Sequence, residues 1–467
     1  MKQIRTRFAP SPTGFMHLGN LRTALYAWLY AKNNAGKFIL RVEDTDQSRY
    51  VEGAVEVIYQ TLKECGITWD EGPDIGGDYA PYIQSERKDA YMKYAEELIE
   101  KGHAYYCYCP PENETCDCKN KAEKIKEKKG ILDLPEVSFV IRQNIPDTGS
   151  TTFKDEIYGE ITVENKEIED QILIKSDGMP TYNFANVIDD HAMNITHIIR
   201  GNEYLSSTPK YNLLYQAFGW ELPIYIHVPQ IMRDATHKLS KRDGDAYFSD
   251  FKENGYLTAA IINYIALLGW SPKGSDAERE IFSLGELAEI FGTDGISKSP
   301  AIFDIEKMRA INAEHIRRLS SDEFKKVAVP YIGNYPINYD ILCAALQPRT
   351  EVLSEITPQA DFLEKPCEYT PDLYFNKKMK TSPETARDSL EKAVKVLEST
   401  ESFTKDDLYA KFKETAEQNA QKPGFYLYPL QVALTGKPAA PGGGLDICVM
   451  FGKEESVNRI RKAIDLL

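Results

Sequence analysis

The chain of 467 residues carries 56 lysines and arginines against 71 aspartates and glutamates, a net charge of −15, with 42% hydrophobic and 27% charged residues. That composition excludes fibres and wholesale disorder, and the negative balance excludes indiscriminate binding to nucleic acid, which needs a broadly positive surface. No run of ~18 apolar residues is present to cross a membrane, so no membrane partner is expected. The opening Met1-Lys-Gln-Ile-Arg-Thr-Arg7 lacks an apolar export core, and eight cysteines in a chain this long make no disulfide framework, so a cytoplasmic location is expected.

Ile4 to Phe8 is a short β-prone run that breaks at Ala9-Pro10-Ser11-Pro12-Thr13-Gly14, a turn-rich stretch. Leu18, Leu21, Leu25, Trp28 and Leu29 then share one helical face, and Gly36 just beyond suits a C-terminal stop. Phe38 to Val42 predicts a second strand, closed by the acidic turn Glu43-Asp44-Thr45-Asp46, and Val51, Val55, Ile58 and Leu62 predict a second helix. Strands alternating with helices imply a parallel sheet of the dinucleotide-fold type. From about Pro81 the pattern changes to a helix over Ser85–Lys101, a cysteine cluster, a lysine-rich stretch and weak strands between Ser138 and Val163, which read as an insertion. Alternation then resumes. Gln171–Lys175 and Thr181–Val187 are expected to be strands around Ser176-Asp177-Gly178, with another at Thr196–Ile199. Ser206-Ser-Thr-Pro209 is expected to open a helix with a capping hydroxyl and an early proline. Pro223–Ile231 is the last strand. Leu257–Leu268 predicts a buried helix, and helices dominate from about Leu319, where Ala386, Leu390, Ala393, Val394 and Leu397 form one face.

Two segments carry chemistry. Pro10-Ser-Pro-Thr-Gly14-Phe-Met-His17-Leu-Gly19-Asn20 joins a strand to a helix at the carboxyl edge of the expected sheet, where open α/β folds bind ligands. Its glycines let a ligand approach the backbone, the helix N-terminus favours phosphate, and His17 can donate to a phosphoryl oxygen. About 220 residues later, Lys238-Leu-Ser-Lys241-Arg242 places two ammonium groups three residues apart, suited to charge developing on a pyrophosphate. Each alone is as well explained by a turn or a solvated basic loop; together they close the two halves of one sheet.

This pair resembles the signature pair of class I aminoacyl-tRNA synthetases. Around it, Arg7-Phe-Ala-Pro-Ser-Pro-Thr-Gly14, Arg41-Val-Glu-Asp-Thr-Asp46, Asp70-Glu-Gly-Pro73, Gln84-Ser-Glu-Arg87, Lys175-Ser-Asp-Gly178, Thr181-Tyr182 and Ala185-Asn-Val-Ile-Asp-Asp-His191 are similar to the bacterial-type glutamyl-tRNA synthetases. The resemblance covers the whole chain, densely to about Leu319 and more thinly beyond. It implies an α/β Rossmann-like catalytic domain at 1–82 and 171–236, with an α+β insertion for the tRNA acceptor end at 83–170. A signature loop and helical stem-contact domain at 237–318 and a mostly α-helical anticodon-binding region at 319–467 would follow. The implied reaction activates L-glutamate with ATP and Mg²⁺ and passes it to tRNA(Glu), with tRNA(Gln) left open and a monomer expected. The catalytic positions would be His17, Lys238 and Lys241. ATP would lie among Pro10, Thr13, Gly14, His17, Gly19, Asn20, Lys238, Ser240 and Lys241.

The family's glutamate-binding positions match Arg7, Ser11, Glu43, Tyr182, Asn186 and Arg200. The chemistry agrees: one carboxylate for the ammonium, and two arginines for the carboxylates by charge-assisted hydrogen bonds. Which arginine meets the side chain is open. Two departures stand out: Asn20 where class I enzymes often have histidine, and Gln431 where the bacterial form has arginine.

Cys107, Cys109, Cys116 and Cys118 give four thiolates within twelve residues, enough to close a tetrahedral Zn²⁺ site. The resemblance is consistent, because some glutamyl enzymes hold zinc in this insertion. The stretch Lys119–Lys129 reads as a solvated helix face or a phosphate contact. Three other functions compete: a tRNA-base-modifying relative, a non-catalytic tRNA-binding paralogue and a small-molecule adenylyltransferase. The ~150 residues beyond Leu319 disfavour the first and third. The retained His17 and Lys241 disfavour the second.

Overall fold

The computed structural model describes residues 2–109, 139–237, 239, 247–364 and 370–467. The chain divides into two units, Met1–Lys252 with Thr258–Ile305, and Glu253–Leu257 with Glu306–Leu467.

The first unit opens on β1 (Arg5–Phe8), buried throughout, followed by α1 (Leu18–Asn33) and then β2 (Lys37–Leu40), parallel to β1 with Arg7 opposite Ile39. α1 buries Leu18, Leu21, Leu25, Trp28 and Leu29 as its spacing predicts, and also Arg22 and Tyr26. A helix covered on most sides sits inside its fold. The stop after α1 is not Gly36. Ala35 takes the left-handed conformation, φ 49°. Gly36 serves close packing instead: a Cβ there would lie 2.5 Å from the Ile4 carbonyl oxygen. α2 (Ala54–Glu64) starts after Val51, which is exposed, and buries Ile58 and Leu62.

Next come α3 (Lys88–Glu100), β3 (Ala104–Cys107), β4 (Val140–Gln143), β5 (Ser150–Asp155), β6 (Gly159–Glu164) and β7 (Ile172–Ile174). β3, β4 and β7 form an antiparallel sheet. Its Tyr106, Ile141, Leu173 and Ile174 share a core with Tyr91 and Leu98 of α3. The strand predicted at Thr181–Val187 is instead a helix, α4 (Tyr182–Ala192), with Thr181 extended at its entrance. Tyr, Phe, Val and Ile favour strands one by one, but Phe184, Val187 and Ile188 recur at helical spacing and are all buried. Burial of that face overrides the propensities.

β8 (His197–Gly201), α5 (Thr208–Phe218) and β9 (Ile224–Val228) complete the main sheet. β8 and β9 are parallel, and the Thr196 N–H donates to the Arg5 carbonyl (3.0 Å), tying β8 to β1. β5 lies parallel to β9, with Asp155 opposite Tyr225, and β6 returns antiparallel to β5. The sheet is therefore mixed, and the β5–β6 hairpin, which the sequence puts within the insertion, borders the main sheet. The predicted capping hydroxyl at α5 makes no cap: Ser207 is already helical, and the Thr208 hydroxyl donates to the Tyr204 carbonyl (2.9 Å). β10 (Ile231–Met232), α6 (Phe248–Glu253), the buried α7 (Thr258–Leu267), α8 (Leu284–Ile290) and β11 (Ala301–Ile302) follow.

The second unit is helical, with Ser321–Ile332, Tyr339–Leu346, Pro383–Ser399, Lys405–Gln418, Gly424–Thr435, Gly443–Phe451 and Lys453–Leu466 around one core. Ala386, Leu390, Ala393 and Leu397 face that core as predicted. Among the described residues no helix is long and apolar enough to cross a membrane.

Candidate active site

The loop between β1 and α1 delivers the first site residues. Pro10 is buried, while Ser11, Thr13 and Asn20 are exposed. Gly14 has φ 129°, a conformation side-chain-bearing residues rarely adopt. His17 caps α1: its Nδ1 accepts the Gly19 N–H at 3.1 Å. Nδ1 is thereby an acceptor, so the neutral ring carries its proton on Nε2, an N–H of the kind that donates to phosphoryl oxygens. A Cβ at Gly19 would sit 3.4 Å from that Nδ1, so the small residue gives the ring its place. The first turn of α1 holds no acid, and its dipole favours an anion beside His17.

Lys238, Ser240, Lys241 and Arg242 lie outside the described residues, but both ends of their segment are placed. Leu239 donates its N–H to Ile231 of β10 (3.4 Å). At the other end Tyr247 forms a β-bridge with His17, their rings 6.1 Å apart, and Phe248 donates to the Met16 carbonyl (3.2 Å). The chain leaving the basic segment thus returns onto the histidine turn.

A second cluster joins the ends of β1 and β2 to α4. Arg41, fully buried, donates to Glu43 Oε1 (3.0 Å) and Asp190 Oδ1 (2.8 Å). Arg7 donates through Nε to the same Asp190 oxygen (3.0 Å). The neighbouring Asp189 accepts from Arg87 (2.7 Å), Tyr91 (2.8 Å) and Gln84 (2.9 Å). Burial alone would lower the Arg7 and Arg41 pKa values, but the carboxylates more than offset it and both stay raised. Burial pushes Glu43 up to about 7, against the pull of Arg41 and Arg7. Its Oε2 is buried without a hydrogen-bond partner.

Arg200, at the end of β8, is only 5% exposed. Its Nε donates to His227 Nε2 (3.1 Å) and its Nη2 to the Thr208 hydroxyl (2.9 Å). The rings of Tyr211, Tyr204 and Tyr225 lie 4.7, 5.1 and 5.6 Å from the guanidinium carbon. Nη1 has no hydrogen-bond partner, and among the described residues no carboxylate forms an ion pair with Arg200. Tyr182, 5.7 Å ring to ring from Tyr204, is raised well above its ordinary pKa by burial and then by Glu43, with Arg200 opposing. It therefore lies within electrostatic reach of both. Asn186 donates to the Tyr182 carbonyl (3.0 Å) one turn along α4.

The two arginines expected at the amino-acid site are thus unequal. Arg7 has an anion already in Asp190; among the described residues Arg200 has none. A buried cation without an anion is costly, and an anionic group placed at Nη1 would offset that cost. Glu43 Oε2, likewise unpartnered, could accept from a cationic group. Because an ammonium needs the ionised form of Glu43, the KM for the amino acid is expected to rise as pH falls below about 7, approaching tenfold per unit. A KM flat from pH 8 to 5.5 would contradict this placement.

Arg41, Asp189 and Asp190 stand inside the segments Arg41–Asp46 and Ala185–His191, yet nothing in their spacing tells which partners they take. Asp155 and His227 gave no sequence signal. Cys107 ends β3, buried, and Cys109 is half-buried in the same small cluster with Tyr105 and Val140; Cys116 and Cys118 lie outside the described residues. Among the described residues no group of three or more side chains could hold a metal ion.

Residues 3–310 match the family of class I tRNA synthetases (E and Q), catalytic domain, and residues 305–464 match an anticodon binding domain. A glutamate–tRNA ligase of Clostridium botulinum is 53% identical over all of this chain and 99% of its own length. One of Clostridium tetani is 52% identical over all of this chain and 98% of its own. A glutamate tRNA ligase from Elizabethkingia meningosepticum, solved in complex with its amino acid, matches with a TM-score of 0.87 at 34% identity over all of both chains. The glutamate-tRNA synthetase of Elizabethkingia anophelis matches with 0.85 at 34%, over 99% of this chain and 100% of that one. With two thirds of its length inside one catalytic-domain family and full-length relatives at about half identity, the chain belongs to the class I tRNA synthetases of the E and Q type.

Proposed function

We infer that the chain joins L-glutamate to tRNA using ATP. The observation that carries this is a pair of unsatisfied buried groups of opposite sign, Arg200 Nη1 and Glu43 Oε2, with Tyr182 packed on the same Tyr204 ring that flanks Arg200. A zwitterion with a second carboxylate answers both. The α-carboxylate is the nucleophile toward the α-phosphorus of ATP, and a fixed cation on it would weaken the attack. The permanent charge of Arg200 therefore suits the carboxylate that does not react. Attack breaks the bond to pyrophosphate and leaves glutamyl-adenylate, with Mg²⁺ accompanying the phosphates. His17 Nε2–H, Lys238 and Lys241 stabilise the charge that develops there. A hydroxyl of the terminal adenosine of tRNA then takes the glutamyl group and releases AMP.

An amide would bring Arg200 no negative charge, which rejects glutamine. The segment 83–170 would meet the acceptor end of the tRNA, 237–318 its stem and 319–467 its anticodon, in a cytoplasmic monomer. Charging of tRNA(Glu) and tRNA(Gln) transcripts side by side, with labelled glutamate and labelled glutamine, tests the reading. Glutamate is expected on tRNA(Glu), and glutamine on neither. No glutamyl-tRNA from either transcript would overturn it.

Cys107, Cys109, Cys116 and Cys118 would together hold one Zn²⁺. Cys107 and Cys109, two residues apart, already share a packed cluster. Elemental analysis of protein never exposed to chelator is expected to give about one zinc per chain, and none would remove the site.

A further inference from the structure

Behind Arg200 lies a buried chain of hydrogen bonds that the activation chemistry does not require. Asp155 Oδ2 stands 2.7 Å from His227 Nδ1 and 3.1 Å from its backbone N–H. Asp155 Oδ1 accepts the N–H groups of Ile157 (2.9 Å) and Tyr158 (2.8 Å). Both side chains are fully buried. His227 Nε2 in turn faces Arg200 Nε at 3.1 Å. An arginine Nε–H can only donate, so Nε2 must accept and the ring proton must sit on Nδ1, where the Asp155 carboxylate takes it. Burial also lowers the His227 pKa to about 4, which keeps the ring neutral and Nε2 an acceptor at working pH. On the other prong, the Thr208 hydroxyl gives its proton to the Tyr204 carbonyl and so meets Arg200 Nη2 as an acceptor. Nε and Nη2 are each assigned one partner, which leaves Nη1 as the atom aimed at the ligand.

We propose that Asp155 and His227 are positioning residues that set the Arg200 guanidinium for the substrate's side-chain carboxylate, and with it the preference for an acid over an amide. This rests on the reading that Arg200 receives that carboxylate. The pair reaches the site because β5 runs beside β9, which puts an aspartate from the hairpin behind a strand-end arginine 45 residues later in the chain.

The test is steady-state charging by the full-length protein with His227→Asn and His227→Gln. Asparagine keeps a donor for Asp155 but ends short of the Nε2 position. Glutamine reaches that position and can accept from Arg200. The Asn variant is expected to raise the KM for glutamate roughly 10- to 100-fold, with the KM for ATP, kcat and the thermal midpoint near those of the parent. The Gln variant is expected to recover most of the loss. Asp155→Asn, whose amide can donate to Nδ1 and turn Nε2 into a donor against Arg200, is expected to raise the same KM. An unchanged glutamate KM in folded His227→Asn would overturn the proposal. So would a parallel rise of the glutamate and ATP KM values in both His227 variants, the mark of a structural role. Arg200→Ala, run beside them, separates the two ideas: if it leaves the glutamate KM alone, the reading of Arg200 fails. If only Arg200→Ala raises it, the positioning role alone fails.

Discussion

Arg200→Gln is expected to lower kcat/KM for glutamate by roughly a hundred- to a few-thousand-fold while the folded protein keeps or gains thermal stability. The first part follows from removing one partner of a buried charge pair, which costs about 3–5 kcal/mol at about 1.4 kcal/mol per tenfold. The loss should sit mostly in KM, because the side-chain carboxylate contributes equally before and during the reaction. The second part follows from burial: Arg200 is buried with Nη1 unsatisfied, so a neutral replacement relieves the unliganded protein of a charge that no acid among the described residues pairs. Saturating glutamate should correspondingly raise the melting temperature of the parent but not of the variant. Charging kinetics and thermal melts on the same two proteins check both parts. An activity loss accompanied by an equal loss of stability would mean that Arg200 is a structural residue.

The second large effect concerns the phosphates. His17→Ala and Lys241→Ala are each expected to slow charging by about 10²- to 10³-fold, the usual cost of removing one donor aimed at a developing negative charge. Affinity for tRNA should hold within a few-fold. For His17 the donor is Nε2–H, because Nδ1 already accepts the Gly19 amide. His17→Gln, which can offer an N–H at the Nε2 position, should therefore retain more activity than His17→Ala. Rapid-quench measurement of glutamyl-adenylate in the presence of tRNA, with a parallel binding titration, checks the assignment. A collapse of tRNA affinity with an unchanged activation rate would place these residues on the nucleic acid instead.

Much of the phosphate end is legible in sequence because its parts are local. A strand, a loop rich in proline with Gly14 at its end, and a helix entrance lie within Arg5–Asn20, and the helical face starting at Leu18 follows from spacing alone. The amino-acid end is legible as a set of residues but not as an arrangement. Glu43, Arg7 and Arg200 stand out, yet only the fold reveals that Asp190 already neutralises Arg7 from 183 positions away and that no acid among the described residues does so for Arg200. Ion pairs across such separations leave no periodic trace in a chain. The strand predicted at Thr181–Val187 fails for a related reason. Its aromatic and β-branched residues suit a strand individually, and the helix they form is decided by what α4 packs against. The hairpin containing Asp155 lies, by sequence order, in the insertion, although its strand borders β9.

The central claim is that one buried, unneutralised arginine and one buried carboxylate oxygen receive opposite ends of a free acidic amino acid. A crystal structure of the chain soaked with L-glutamate measures this directly. The account predicts the side-chain carboxylate within hydrogen-bond distance of Arg200 Nη1, the ammonium on Glu43 Oε2, and the α-carboxylate turned toward His17. Glutamate bound with its side chain away from Arg200, or with its ammonium away from Glu43, would contradict it.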